Sequence, residues 1–174
     1  RKRWKRLAPK RGFLTLHLDQ FDAAVYPTSA ERDLLLEAGP RAARRARTYV
    51  IPNAVPAPRA EPAVRDPRRG VMLARADRGK RLEHAIEAAR LAPEVRLDLY
   101  VPEAGWTREH RERLIERAAD LTNVTIHPAT QDADRILESS GFLLMTSRSE
   151  GFGLTMVEAQ AAGCVPVAYN VPYG

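Results

Sequence analysis

The 174-residue chain carries 28 Lys and Arg against 22 Asp and Glu, a formal charge of +6, and a length that fits one domain with residues to spare. No apolar run approaches the roughly 20 residues that a membrane-spanning helix needs, and no stretch reads as a secretory signal. Cys164 is the one cysteine, which excludes an internal disulfide and agrees with a reducing cytosol.

The positive charge is local. Arg1, Lys2, Arg3, Lys5, Arg6, Lys10 and Arg11 stand together with no acid among them. Removing those seven from the 28 leaves 21 basic residues against 22 acidic ones, so the remainder is close to neutral. Such a patch suits nucleic acid, an anionic membrane surface or an anionic polymer, and equally a solvated tail. Trp4 alone is no stacking platform, and no nucleic acid is expected as a partner.

In chain order, residues 12–18 alternate weakly, and Ala23–Tyr26 reads as a short strand. Thr28 and Glu31 have the spacing of a capping box, and the helix they open stops at Gly39-Pro40. Residues 41–47 form a second basic cluster, read as a solvated turn or helix, and 48–51 another strand. Prolines then recur from Pro52 to Pro67, which blocks helix and central strand alike and marks a linker and domain boundary.

Beyond it, strands at 71–74, 95–101, 123–127, 142–146 and 165–168 alternate with helices at 80–91, 108–119, 132–139 and 154–162. Thr107 would begin the second helix. Short, nearly all-apolar strands in this alternation predict a parallel, doubly wound α/β sheet covered on both faces. With strand order 3-2-1-4-5, ligands bind at the carboxyl ends of the first and fourth strands, where the order reverses. The loops there, 75–80 and 146–153, are the two most unusual in the chain.

In the first loop, Arg78, Lys80 and Arg81 crowd a predicted helix N-terminus, where cations oppose the dipole and Asp77 is the predicted N-cap. Arg75 and Lys80 make sense there as clamps for an anion such as a diphosphate, whereas Arg78 and Arg81 read as swinging into water. In the second loop, Gly151 and Gly153 flank Phe152 beside Glu150, before a helix starting at Leu154. Glu158 falls on the helix face of Leu154, Val157, Ala161 and Ala162. A carboxylate in that apolar stripe needs a partner: a structural ion pair, a capping contact or a ligand.

His84, one turn after Lys80, reads as a surface or supporting histidine rather than a catalyst. His17, His110 and His127 show no metal spacing with one another or with Cys164, so no metal site is expected. The chain lacks the GxxxxGK(S/T) phosphate loop, GxGxxG and the nucleophile elbow, which removes the usual support for kinase, dehydrogenase and hydrolase readings.

Glu150-Gly-Phe-Gly-Leu-Thr-Met-Val-Glu158, with Ala159-Gln-Ala-Ala-Gly163 and Val165-Pro-Val after it, resembles the E-x7-E motif of the retaining GT-B glycosyltransferases of family four. Arg75 and Lys80 resemble that family's diphosphate-binding pair, and Pro52-Asn53 resembles the segment leading into its donor-binding domain. Lys80-Arg-Leu-Glu-His84-Ala-Ile and Ala168-Tyr-Asn-Val-Pro-Tyr-Gly174 are similar to the poly(glycerol-phosphate), or teichoic-acid, α-glycosyltransferases.

The resemblance implies an α/β fold, the C-terminal Rossmann-like domain of GT-B proteins, truncated and carrying the tail of the N-terminal domain. Residues 1–51 would be the acceptor-domain remnant, 52–69 the linker and 70–174 the donor-binding domain. Glu150 would bond hydroxyls of the transferred sugar. Gly151, Phe152, Gly153, Leu154 and Thr155 would hold sugar and phosphates. Arg75 and Lys80 would neutralise the departing diphosphate without a metal or other cofactor. Glu158 would accept from the ribose, and the base would lie near His127 and Pro128.

The implied activity is metal-independent transfer of a hexose, with retention, from a nucleotide-sugar such as a UDP-hexose to a saccharide or polyol-phosphate acceptor. The expected setting is the cytoplasm, with peripheral contact at the inner membrane face. Two features depart from the family pattern: Val101-Pro102-Glu103 stands where a glycine-containing turn is usual, and Ala76-Asp-Arg-Gly79 is not the common loop. A final strand and helices would follow Tyr173-Gly174, so the chain alone is expected to be inactive. The alternatives are a GT-B isomerase or phosphorylase, the first disfavoured by the E-x7-E spacing, and a non-catalytic protein binding nucleotide-sugar or nucleic acid.

Overall fold

The computed structural model describes residues 21–38, 47–55, 57, 64–102 and 108–171. The N-terminal basic run, the 12–18 alternation, the Gly39-Pro40 stop, Thr107 and Tyr173-Gly174 lie outside them. The chain divides into two units, Arg1–Ala54 with Tyr173–Gly174, and Val55–Pro172. Among the described residues no helix is long and apolar enough to cross a membrane.

In the first unit β1 (Ala23–Tyr26) pairs in parallel with β2 (Arg47–Val50), and α1 (Ser29–Ala38) lies between them in sequence. The Thr28 hydroxyl accepts from the Glu31 amide at 3.1 Å, the capping bond its spacing predicts. Arg47 belongs to the strand, paired with Ala23, rather than to a basic turn or helix.

The second unit is built on five parallel strands: β3 (Asp66–Leu73), β4 (Arg96–Tyr100), β5 (Val124–His127), β6 (Ser140–Met145) and β7 (Val165–Ala168). Their spatial order is β5-β4-β3-β6-β7, the reversal predicted from sequence. Between them run α2 (Leu82–Leu91), α3 (Arg108–Ala118), α4 (Ala133–Ser139) and α5 (Leu154–Ala161). Alternation along β3 splits the core in two. Met72 joins Leu82, Ala85, Ile86, Leu97, Leu99 and Leu114 in one apolar cluster, while Val71 joins Leu137, Leu143, Ala159 and Cys164 in another. Each large side chain so buried contributes about 1.5–3 kcal/mol.

Two of the boundaries that differ from expectation bear on the site. β3 begins at Asp66, inside the stretch read as linker. Pro67 is tolerated near the strand start because the register with β6 is irregular between Asp66 and Gly70. That irregularity depends on close approach. A Cβ at Gly141 would fall 2.4 Å from the Asp66 carbonyl oxygen, and one at Gly70 would fall 2.2 Å from the Phe142 ring. The helix placed at 80–91 begins instead at Leu82. Arg81 ahead of it has a φ of 50°. This left-handed conformation costs a non-glycine residue about 1–2 kcal/mol and breaks the helical run before Lys80.

Candidate functional site

β3 and β6 are adjacent, and the chain leaves their carboxyl ends toward opposite flanks of the sheet, which opens a crevice there. Leu73, Ala74, Leu144 and Met145 form its floor, and Lys80, Ser147, Glu150, Gly153, Leu154 and Thr155 line it.

The turn after β3 is organised by Asp77. Its Oδ1 accepts from the Gly79 amide at 2.7 Å, and its carbonyl accepts from the Lys80 amide at 3.0 Å. Asp77 therefore caps this turn and not the helix, correcting the N-cap assignment. Arg81 is the N-cap, with no side-chain cap bond. The buried Thr146 hydroxyl at the end of β6 sits 2.8 Å from the Lys80 carbonyl and 3.0 Å from that of Arg81. The Arg148 amide donates to the Gly79 carbonyl at 2.7 Å. These bonds tie the two turns together and help hold the unfavourable Arg81 conformation.

The turn after β6 enters α5 through Gly153, whose φ of 76° suits glycine. A Cβ there would still have 3.5 Å to Met156, so conformation rather than space selects glycine. Arg65 donates to the Ala162 carbonyl at the far end of α5, where a cation complements the helix dipole. A Cβ at Gly163 would fall 2.9 Å from that guanidinium.

Lys80 and Glu150, which stand 70 residues apart, meet in the crevice with Nζ 2.6 Å from Oε1. Their side chains are 21% and 14% exposed. A charge-assisted hydrogen bond contributes about 1.5–3 kcal/mol. Desolvating two ions costs several kcal/mol each, so the pair adds little net stability. Arg75 differs: its side chain is 82% exposed, and among the described residues its carboxylate neighbour is Asp77 at 3.8 Å.

Glu158 corrects the reading of α5. The face of Leu154, Val157 and Ala161 is not the core face, for Leu154 is 41% exposed and the helix buries Ala159 instead. The core side is Met156, Ala159 and Ala162. Glu158 is half-buried beside it, and its carboxylate has no hydrogen-bond or ion-pair partner among the described residues. No structural ion pair or capping contact accounts for it there.

The structure thus brings Lys80, Glu150, Gly153, Leu154 and Thr155 into one crevice. Gly151 is exposed and Phe152 half-buried in the turn. His127 and Pro128 are not in the lining. His127 Nε2 lies 2.8 Å from Asp98 Oδ1, and its ring stacks on Tyr100 with centroids 4.5 Å apart. Asp98 also accepts from Arg69 at 3.3 Å. Burial, and next the Asp98 charge, raise the Tyr100 pKa. His84 is exposed, with Nδ1 3.1 Å from the Tyr169 hydroxyl.

Sequence reasoning took in Thr146 and Ser147 only as part of their loop and gave neither a role. Both are buried, and the signal was available: two hydroxyls at the carboxyl end of an otherwise apolar strand. Among the described residues no group of three or more His, Cys, Asp or Glu is placed to hold a metal.

A parallel doubly wound domain with a crevice at its switch point that carries both a cation and a carboxylate is an α/β domain of the Rossmann-like, GT-B type. The family model for glycosyl transferases group 1 matches residues 57–174, and the chain belongs to that family. This match overturns the family-four assignment that the E-x7-E spacing suggested.

Among curated proteins, poly(glycerol-phosphate) alpha-glucosyltransferase of Bacillus subtilis (strain 168) is 32% identical over 110 residues, 61% of this chain and 16% of that protein. Among solved structures, TarM superposes with a TM-score of 0.78 at 23% identity, covering 94% of this chain and 32% of that one. Anabaena HepE in complex with UDP-glucose gives 0.76 at 18% identity, covering 94% and 49%. The chain therefore spans less than half the length of each of these relatives.

Proposed function

We propose that this chain is the donor-binding portion of a glycosyltransferase that moves a hexose from a nucleotide-sugar to a saccharide or polyol-phosphate acceptor, with retention and without a divalent ion. One observation carries the reading: a cation and a carboxylate meet at the switch-point crevice, with a half-buried carboxylate, without a partner among the described residues, one turn along α5. Similarity to a glucosyltransferase acting on poly(glycerol-phosphate), and to a fold solved with UDP-glucose, supports the substrate classes.

In this reading Arg75 and Lys80 take the diphosphate, so the charge that develops on the leaving group meets fixed cations. Glu150 accepts from hydroxyls of the transferred sugar. Thr155 and the backbone of residues 151–154 hold sugar and phosphates at the start of α5, where the positive end of the helix dipole lies. Glu158 accepts from the ribose. Residues 1–51 belong to an acceptor domain.

The test is calorimetric titration with UDP-glucose, UDP-N-acetylglucosamine and GDP-mannose, beside Lys80→Ala and Glu158→Ala, with folding followed by circular dichroism. Binding of one donor is expected, weakened at least about tenfold in each variant, the equivalent of one charge-assisted hydrogen bond. A folded protein that binds none of the three, both as this chain and within its complete parent protein, would overturn the reading.

A further inference from the structure

We propose that Glu150 makes this site discriminate a nucleoside diphosphate that still carries its sugar from the bare nucleoside diphosphate, by occupying Lys80 until a sugar hydroxyl takes the place of the ammonium. The inference rests on the donor-site reading above and concerns how that site is occupied before ligand arrives.

Of the two cations that the donor-site reading assigns to the diphosphate, Lys80 lines the crevice and Arg75 does not, and they are in different states. Arg75 is 82% exposed, with Asp77 no nearer than 3.8 Å, so it is open to an incoming anion. Lys80 is bonded to Glu150 at 2.6 Å, with both side chains largely withdrawn from water. One of the three N–H donors of Lys80 is held by Glu150, so a diphosphate that draws the ammonium to itself competes with that carboxylate. Among the described residues Lys80 is the one cation within ion-pair distance of Glu150. Once Lys80 turns to a phosphate, Glu150 is left partly buried beside an anion with its ion-pair partner gone, an arrangement that costs affinity.

A donor that retains its sugar removes that cost. Sugar hydroxyls donate to Glu150 as the phosphates take Lys80, so both charges end with partners. The bare nucleoside diphosphate brings no such hydroxyl, and its apparent affinity falls by the fraction of molecules in which Lys80 is free. The carboxylate then favours departure of the nucleotide once its sugar is gone. The turns help confine the exchange to side chains, because the Lys80 carbonyl is held by Thr146 and that of Gly79 by Arg148.

The experiment measures affinities for UDP and UDP-glucose, and for GDP and GDP-mannose, in the parent protein, Glu150→Gln, Glu150→Ala and Lys80→Met. Circular dichroism checks each fold. Both Glu150 variants should bind the bare nucleotide about tenfold more tightly than the parent, and the sugar nucleotide no more tightly, so the preference collapses. Bare-nucleotide affinity unchanged in the folded Glu150 variants yet weakened in Lys80→Met would overturn this inference while leaving the donor-site reading intact. No nucleotide binding by any folded protein would overturn both.

Discussion

Lys80, Glu150 and Glu158 show how far single residues can be read before a fold is known. Each stands out as a charge in an improbable place: a cation near a helix start, a carboxylate among glycines, a carboxylate in an apolar run. What the sequence does not reveal is their pairing, because Lys80 and Glu150 meet only through the sheet order. The stripe that Glu158 shares with Leu154 and Val157 reads as buried for a related reason. α5 is composed mostly of small and apolar residues, so helical periodicity does not choose between its sides until β6 and β7 fix one.

Cys164 yields a prediction at the same scale. It is 2% exposed, and burial pushes its thiol up to about 11, although the Arg65 charge pulls slightly the other way. At pH 8 its thiolate fraction is then about one part in a thousand, against roughly a quarter for a free cysteine. An aromatic disulfide reagent should leave the folded protein unmodified over minutes and react at once in denaturant. A native rate close to the unfolded one would show that the thiol is not shielded as described.

At the scale of elements, apolar alternation and turn residues make strand existence legible, while element ends depend on backbone details that carry no periodic signal. α2 buries Leu82, Ala85, Ile86 and Ala89 at helical spacing, yet starts two residues later than predicted because Arg81 is left-handed. β3 starts early because two glycines admit Phe142 and a proline-containing segment at close range.

The tie between α2 and the end of α3 was equally hidden. Arg90 donates to Asp120 Oδ2 at 2.5 Å and to the Arg117 carbonyl at 2.8 Å. The Arg90 hydrogen bond chiefly holds the Asp120 carboxyl below its ordinary 3.8. A folded pKa below the unfolded one adds stability above the unfolded value and loses it as pH falls through the folded one. Asp120→Asn should therefore flatten the fall of the urea midpoint below pH 3.8 while changing the neutral-pH midpoint only modestly. An unaltered acid limb would mean that this exposed pair is not populated in solution.

For the molecule as a whole, the strand order β5-β4-β3-β6-β7 is the feature from which the site follows, and it was readable because strand–helix alternation and right-handed crossovers leave few arrangements. The order brings the two loops to one crevice. It does not say that they are fastened. Arg148 has an exposed side chain, but its amide is engaged with the Gly79 carbonyl at 2.7 Å, while the Thr146 hydroxyl holds the neighbouring carbonyls.

That one amide is a built-in clock for the parting of the two loops. Its proton can trade with deuterium only when the crevice walls separate. Slow exchange at Arg148 is expected in the parent protein. Thr146→Val, which loses a buried hydroxyl bond worth about 1–3 kcal/mol, should speed it roughly tenfold or more while leaving mid-strand amides of β3 unchanged. Equal rates in both proteins would mean that the walls open independently of the hydroxyl. A faster clock in the variant would mean that the buried hydroxyl behind the crevice sets the tempo at which its mouth admits or releases whatever it holds.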